Sequence, residues 1–505
     1  MRLPLVMSAV LLMLLSGCAH VEMRTAEIES PTDGAVIVRV LPNMASASQF
    51  FKNWNSIVVE RLPRGAESSK QFALTPTLDS TSRTAIYAAS LPPGTYRFVE
   101  FSAQQCGYMC ISSLVTVNPN FSRFEVQSRQ LTDLGELIQL GFGNKVLFAH
   151  QREPDAGISA ELIEHALPSL KPLLAEPVLS WTSESVPEKM DSAFELAKEM
   201  SYGFVSVKDT DQGDFVYGSA NGVVFSWYPG LKPIAHDINS RVSVESVLVT
   251  PSGSWLAGGE LGVIRQSDDF GATWRSIRGN LPFGVVVDLS YWNKQVIATT
   301  LHGNDVQVSA APEGSDSWNP LAHYKMDISL FWDIPGVRAQ SYLVQNTLVT
   351  TLPGRKVAVM DLLSGKSDIR ELPGSIQMFS VSKDRVLRCR CAASIAVNPY
   401  ESHDMGKTWQ DSTNSRFMLM PTFRDEKNGI AFQGGFFSPS RMAYTADGGN
   451  TWIETTEAPI FFNQLFYSRD GKTAYAGSAE GAFWTSTDDG RSWHRVTRKT
   501  PDPAN

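Results

Sequence analysis

The chain has 505 residues, 44 basic against 52 acidic side chains and a net charge of -8, so it offers no basic stripe for a nucleic acid. A hydrophobic fraction of 43% with 12 Trp and 26 Phe excludes a disordered chain, and the length calls for more than one packed domain.

Met1-Arg2 gives a short positive start, and Leu5 to Leu15 is almost wholly apolar yet too short to span a bilayer, the pattern of a secretory signal over residues 1–17. Leu15-Ser16-Gly17-Cys18 closes it and resembles a bacterial lipobox. That resemblance implies cleavage before Cys18, acylation of its thiol and export as a lipoprotein. Ala at position 19, in place of Asp, points to the outer membrane, with periplasmic and surface sides both open. A tether over 18–32 follows.

Residues 33–145 read as a small β-sandwich. Ala35 to Leu41, Ser56 to Leu62, Gln71 to Leu74, Thr84 to Ala88, Gly94 to Ser102, Ser113 to Val117, Arg123 to Val126 and Leu137 to Leu140 are strand-length runs parted by turn residues. Leu91-Pro92-Pro93-Gly94-Thr95-Tyr96-Arg97-Phe98 and Leu131-Thr132-Asp133-Leu134-Gly135 are similar to prealbumin-like, or carboxypeptidase-regulatory-like, domains, which implies a spacer or adhesion module. Within it Cys106 and Cys110 flank a Gly-Tyr-Met loop that can fold back, so they are the expected disulfide in an oxidising compartment. Cys389 and Cys391, one residue apart in an extended run, are the poorer pair, and their state stays open. Neither a metal nor any other cofactor is expected. A linker over 146–195 carries an expected helix from Ile158 to Leu174, with Ser159 as N-cap and Glu161 and Glu164 in its early turns.

The remaining stretch, 196–500, is organised by one repeated pattern, Ser/Thr-x-Asp-x-Gly-x-Thr/Ser-Trp. It stands at Ser267-Asp269-Gly271-Thr273-Trp274, Ser402-Asp404-Gly406-Thr408-Trp409, Thr445-Asp447-Gly449-Thr451-Trp452 and Ser486-Asp488-Gly490-Ser492-Trp493, with an eroded copy at Ser317-Trp318. The tryptophans at 274, 318, 409, 452 and 493 are separated by 44, 91, 43 and 41 residues, and the longest interval is two periods with one signature missing. A period of this size marks a propeller. Gly-x-x-x-Gly turns at Gly218 to Gly222, Gly258 to Gly262 and Gly477 to Gly481, with looser copies at Gly303 and Gly354, bring the count to seven blades between Tyr202 and Val496. The fold class is therefore all-β, a seven-bladed propeller preceded by a sandwich.

Each residue of the pattern has a structural role, in which the Asp accepts hydrogen bonds from its own turn, the Gly takes a positive φ, and the Trp buries a ring beside the hairpin. These residues resemble the Asp-box, or BNR, repeat of sialidases, sortilin-type receptors and Ycf48-type assembly factors. The resemblance implies that Asp269, Asp404, Asp447 and Asp488, with Trp274, Trp409, Trp452 and Trp493, are structural.

No catalytic residue is assigned. A sialidase would bring three arginines, a Tyr-Glu nucleophile pair and a general acid, but the Arg-Ile-Pro start of that family is missing. Arg265, Arg338, Arg355, Arg388, Arg390, Tyr342 and Tyr400-Glu401 have no family context. The expected function is a non-catalytic, lipid-anchored envelope scaffold that engages a protein or glycan through one propeller face; the alternative is a sialidase-like glycoside hydrolase. The candidate face gathers Asn221, Glu260, His302, Arg355, Phe436, Phe437 and Glu480. Phe331-Trp332 and Phe461-Phe462 are further aromatic pairs on loops. Closure of the ring rests either on Val178 to Trp181 as an added outer strand or on packing between blade faces.

Overall fold

The computed structural model describes residues 21–41, 54–65, 67–77, 84–106, 110–142, 145–151, 162–164, 167–199, 205–210, 214–219, 222–228, 231, 233–240, 242–326, 339–352, 354–392, 397–412, 418–435, 438–455, 462–468, 470–478 and 483–496. The chain divides into two compact units, the first reaching to Ala197 and the second running from Lys198.

The first unit is a pair of β-sheets. One has the order Val21–Arg24, Lys70–Leu74, Ser56–Arg61, Gly94–Cys106, Cys110–Thr116, with Arg123–Val126 also paired to Gly94–Cys106. The other has the order Lys145–His150, Leu131–Phe142, Gly34–Leu41, Ala85–Leu91. Gly34–Leu41 is buried along its whole length, as its apolar run demands, between a parallel partner and an antiparallel one. The sheets share an aromatic core in which Phe101 and Phe148 stack with centroids 4.3 Å apart, and Trp181 stacks on His150 at 3.9 Å while donating its indole N–H to the Leu134 carbonyl at 3.0 Å.

Three expectations change here. The tether is not free over 18–32: Val21–Arg24 is a strand in parallel register with Lys70–Leu74, and Arg24 pairs with Glu22 at 2.7 Å. The helix expected from Ile158 is interrupted. Leu162 to Glu164 are helical, Ser159 and Glu161 lie outside the described residues, and Pro168–Ala175 is a 3-10 helix, because Pro168 and Pro172 cannot continue an α-helical ladder. Met190–Glu199 is α-helical as well and buries Met190, Phe194 and Ala197 at helical spacing. Val178 to Trp181 belongs to the first unit, where Leu179 bridges to Thr132 and Trp181 to Phe124.

The second unit is a β-propeller whose described residues form seven consecutive four-stranded antiparallel sheets, each a meander in chain order. Sheet one spans Val205–Asp209 to Ile234–Asp237, sheet two Val244–Val249 to Arg275–Ser276, and sheet three Val285–Trp292 to Asn319–Lys325. Sheet four spans Ser341–Val344 to Lys366–Glu371, sheet five Ser375–Val381 to Gln410–Asp411, sheet six Met418–Phe423 to Ile453–Glu454, and sheet seven Phe462–Tyr467 to His494–Arg495. Sheets one to five touch in succession through their first strands, as do sheets six and seven, while the fourth strands of sheets two, five, six and seven are exposed, which puts the first strands innermost.

Apolar side chains fill the wedges between sheets. Leu348, Leu352, Ala358 and Met360 of sheet four pack with Ile297, Val306 and Val308 of sheet three. The last sheet meets the first in the same way. Phe215, Tyr217, Phe225 and Trp227 of sheet one form one cluster with Phe466 and Tyr475 of sheet seven, and both Val207 and Val496 lie against it. The ring closes by side-chain packing, with every sheet built from its own consecutive residues.

Candidate functional site

The four intact repeats fold into one turn between the third and fourth strands. In sheet two the Ser267 hydroxyl donates to Asp269 Oδ1 at 2.7 Å and accepts from the Gly271 N–H at 2.8 Å. The Thr273 N–H donates to Asp269 Oδ1 at 2.8 Å, its hydroxyl to Oδ2 at 2.6 Å, and the Trp274 indole to the Gly271 carbonyl at 3.1 Å. The same bonds to the carboxylate recur around Asp404, Asp447 and Asp488, with Thr408, Thr451 and Ser492 as donors. Gly271, Gly406, Gly449 and Gly490 have φ of 89°, 92°, 95° and 84°, where a side chain is disfavoured.

These bonds hold the carboxylates ionised. Hydrogen bonds from the Thr273 hydroxyl and backbone bring Asp269 down to about 2, and those of Thr408 hold Asp404 lower still. At Asp447 and Asp488 burial pushes upward, but the bonds from Thr451 and Ser492 outweigh it and the net shift is down. A carboxylate saturated by its own turn is a poor general acid, the opposite of the raised pKa that protonating a leaving group requires. Each of these aspartates sits in a different sheet, so none pairs with another.

The remaining tryptophans serve the same hairpins. Trp493 donates to the Gly490 carbonyl at 3.1 Å and is buried, and Trp409 packs beside Phe379. Trp452 meets Phe423 edge to face at 5.9 Å. The eroded copy keeps its ring: Trp318 is buried and donates to the Ile277 carbonyl at 2.9 Å. Sheet four, which lacks the pattern, uses Asp361 instead, accepting from the Leu363 N–H at 2.9 Å and the Ser364 hydroxyl at 3.1 Å.

The candidate face is only partly assembled by the described residues. Asn221, Phe436, Phe437 and Glu480 lie outside them, as do Phe331, Trp332, Phe461 and Arg338. His302 and Arg355 are exposed on the turns between the second and third strands of sheets three and four, and His302 meets the Phe283 ring at 5.5 Å. Glu260 is a correction. It is 1% exposed, because its N–H donates to the Ser243 carbonyl of the preceding segment and its turn folds onto the inner strand of sheet three. It belongs to the packing and not to an accessible face.

The residues a hydrolase would need are brought together only in part: Arg388, Arg390, Tyr400 and Glu401 border one pocket beside sheet five. Arg265 lies on the third strand of sheet two, Arg355 on a turn of sheet four, and Arg388 and Arg390 on the second strand of sheet five. The single Tyr342 O–H has two acceptors in reach, the Phe379 carbonyl at 2.8 Å and Gln340 Oε1 at 2.7 Å, and burial pushes its hydroxyl well above the usual range, which makes it a poor nucleophile. Glu401 accepts from Arg388 Nε at 3.0 Å.

The state of Cys389 and Cys391, open from the sequence, is given by the fold. A disulfide joins Cys389 to Cys391, whose Cα atoms are 5.5 Å apart, inside the span such a bridge tolerates. The opposite strand has a bulge between Ile376 and Met378, facing Cys391 and Arg390. Cys106 and Cys110 are backbone partners across their hairpin, but their side chains lie outside the described residues, as does Cys18.

No protein-family model matches this chain, and no curated protein matches it. Solved structures to which it is similar include Ycf48 bound to a D1 peptide, at 14% identity over 55% of this chain and 90% of that one with a TM-score of 0.43. BamB from Moraxella catarrhalis is similar at 13% identity over 58% and 85% with a TM-score of 0.39, and the WD40 β-propeller domain of Doa1 at 13% over 57% and 94% with 0.40.

Proposed function

We propose that this protein is a lipid-anchored, non-catalytic scaffold of the bacterial outer membrane whose propeller engages a protein partner. The observation that carries the non-catalytic part is the saturation of all four repeat aspartates within their own turns. Those turns occupy the hairpins between third and fourth strands, which leaves the opposite set of turns, between second and third strands, as the binding face. His302 and Arg355 stand exposed there, one aromatic and one cationic donor, a mixture suited to a polypeptide surface. On this reading the repeats are Asp-boxes and the Leu15-Ser16-Gly17-Cys18 run is a lipobox. Only Ala19 and His20 then separate the acylated cysteine from the strand Val21–Arg24.

Expression of the full precursor in a lipoprotein-processing host tests both halves. Detergent extraction should be required to release the wild type, and Cys18→Ala should move it to the soluble fraction. Crosslinking in the envelope should capture a discrete protein with wild type and lose it with Arg355→Ala and His302→Ala combined. Capture unchanged by that pair would place the partner elsewhere, and turnover of a fluorogenic sialoside would favour the glycosidase reading.

A further inference from the structure

Sheet four lacks the carboxylate repeat, and its hairpin between the third and fourth strands is short: four residues, Leu362 to Gly365, against seven in sheet five, His403 to Trp409. No tryptophan ring fills it, and Leu363 in the turn is 71% exposed, more than any other large apolar side chain among the described residues. A groove of about 650 Å³ lies beside this turn, between sheets four and five, a volume in the range of ligand-holding clefts. It is bounded by hairpins that join first to second and third to fourth strands, so it faces away from the turns that carry His302 and Arg355. Val359 and Met405 lie buried at its base, and Arg370 braces its two sides by donating Nη1 to the Met405 carbonyl.

Four cations and three carboxylates line the groove, a net positive balance in a chain whose net charge is -8. The three carboxylates are already engaged. The Leu363 N–H and the Ser364 hydroxyl hold Asp361 below the usual carboxylate range, with Arg385 adding its charge at longer range. Asp404 takes the Thr408 bonds, and Asp368 accepts from Arg370 Nε at 3.0 Å. The other cations are open. Lys366 starts the fourth strand of sheet four, Arg385 stands on the turn between the first two strands of sheet five, and Lys407 sits in that sheet's carboxylate turn. All three are exposed, and among the described residues none of their side chains has a hydrogen-bond or ion-pair partner. Gln345, exposed on the turn between the first two strands of sheet four, adds a side-chain amide that is equally free.

We infer that the groove between sheets four and five is a docking site for an acidic peptide segment, whose carboxylates pair with Lys366, Arg385 and Lys407 while an apolar side chain covers Leu363. The charge complementarity selects the occupant. The open cations come from three separate turns or strand ends on two sheets, so the matching negative charge is spread along the groove and not gathered on one compact anion. The lining holds no aromatic ring on which a sugar would stack, whereas the Gln345 amide can both donate to and accept from a peptide backbone. Exposed ion pairs contribute little each, so they set recognition and rate more than strength, and the complex is sensitive to salt. This inference is independent of anchoring and of the face carrying His302.

Fluorescence anisotropy of the full chain with a short labelled peptide of glutamates around a central leucine tests it. The peptide should bind, bind less as salt rises from about 50 mM to about 300 mM, and bind roughly tenfold or more tighter than its glutamine counterpart. Replacing Lys366→Gln, Arg385→Gln and Lys407→Gln together should weaken it by roughly tenfold or more, since all three are exposed and the fold does not use them. Should that triple variant fail to fold, Leu363→Ser and Lys366→Glu, each made singly, should also weaken binding. The control triple Lys325→Gln, Arg441→Gln and Lys472→Gln removes the same charge from exposed positions elsewhere and should leave binding unchanged, as should Arg355→Ala with His302→Ala. Failure of the peptide to bind at low salt, equal binding by its glutamine counterpart or by the folded groove variants, or equal weakening by either control overturns the site. Binding of an oligogalacturonate or of phosphatidylglycerol vesicles without the peptide gives the groove to a saccharide or a lipid and overturns the peptide assignment.

Discussion

The edge of the Phe215 ring meets the Tyr475 ring at 73° with centroids 4.6 Å apart, and this contact joins the first sheet of the propeller to the last. Phe466 adds a second edge contact to Phe215 at 5.5 Å, so one phenylalanine touches two rings of the opposite terminus of the ring.

Truncating that phenylalanine should therefore open the seam. Phe215→Ala removes a fully buried ring and should cost about 3–5 kcal/mol, read as a lower denaturation midpoint. Phe215→Leu keeps most of the volume and should recover a good part of the loss. An unchanged midpoint in Phe215→Ala would mean that another element latches the ring.

Acid should loosen the carboxylate turns. Asp269 titrates at about 2 in the folded protein, below the ordinary value of about 3.9. A depressed folded pKa gives stability that is present above the unfolded value and is lost as pH falls through the folded one. The turn should therefore weaken between about pH 4 and about pH 2, and the carboxyl carbon of Asp269 followed by NMR should titrate near the lower limit. A midpoint near the ordinary value would show that the Thr273 bonds do not persist in solution.

Gly271 should not tolerate a side chain. Its φ of 89° disfavours one, and a Cβ there would stand 2.7 Å from His236 Nδ1 of sheet one. Gly271→Ala should lower stability by about 1–3 kcal/mol in thermal or chemical unfolding, with Gly253→Ala, which has open space around it, losing less.

The disulfide assignment is checked by mass. Under non-reducing conditions the peptide spanning Arg388 to Ala392 should be lighter by two hydrogens than after reduction, and native alkylation should leave Cys389 and Cys391 unmodified. Recovery of both residues as alkylated thiols from native protein would contradict it.

What can be read from the sequence divides along a physical line. The carboxylate turns are legible because every bond in them is local, from Ser267 to Asp269 and from Asp269 to Thr273, so composition and spacing carry the whole geometry. The strand Val21–Arg24 is not, because its partner, Lys70–Leu74, is remote in sequence and its own residues alternate without an apolar run. Glu260 has the local pattern of a loop residue, yet its burial depends on Ser243 and on a neighbouring sheet, which no local pattern encodes. A continuous helix through 158–174 conflicts with Pro168 and Pro172, a signal present in the sequence, as is the Met190, Phe194 and Ala197 spacing that marks the actual helix. The run Arg-Cys-Arg-Cys is intermediate: alternation separates its arginines from its cysteines, but only the folded structure shows that Cys389 and Cys391 pack against sheet four.

A torus sealed by aromatic contact, with no strand borrowed from its far end among the described residues, has no privileged starting point. Because Val207 and Val496 rest on the same cluster, a short linker could join the two ends, and new termini could be cut into a loop between any two sheets. Circular permutants of the propeller should thus fold to the same ring. The seam between the first and last sheets of the propeller is, in the finished molecule, one more boundary of the same kind.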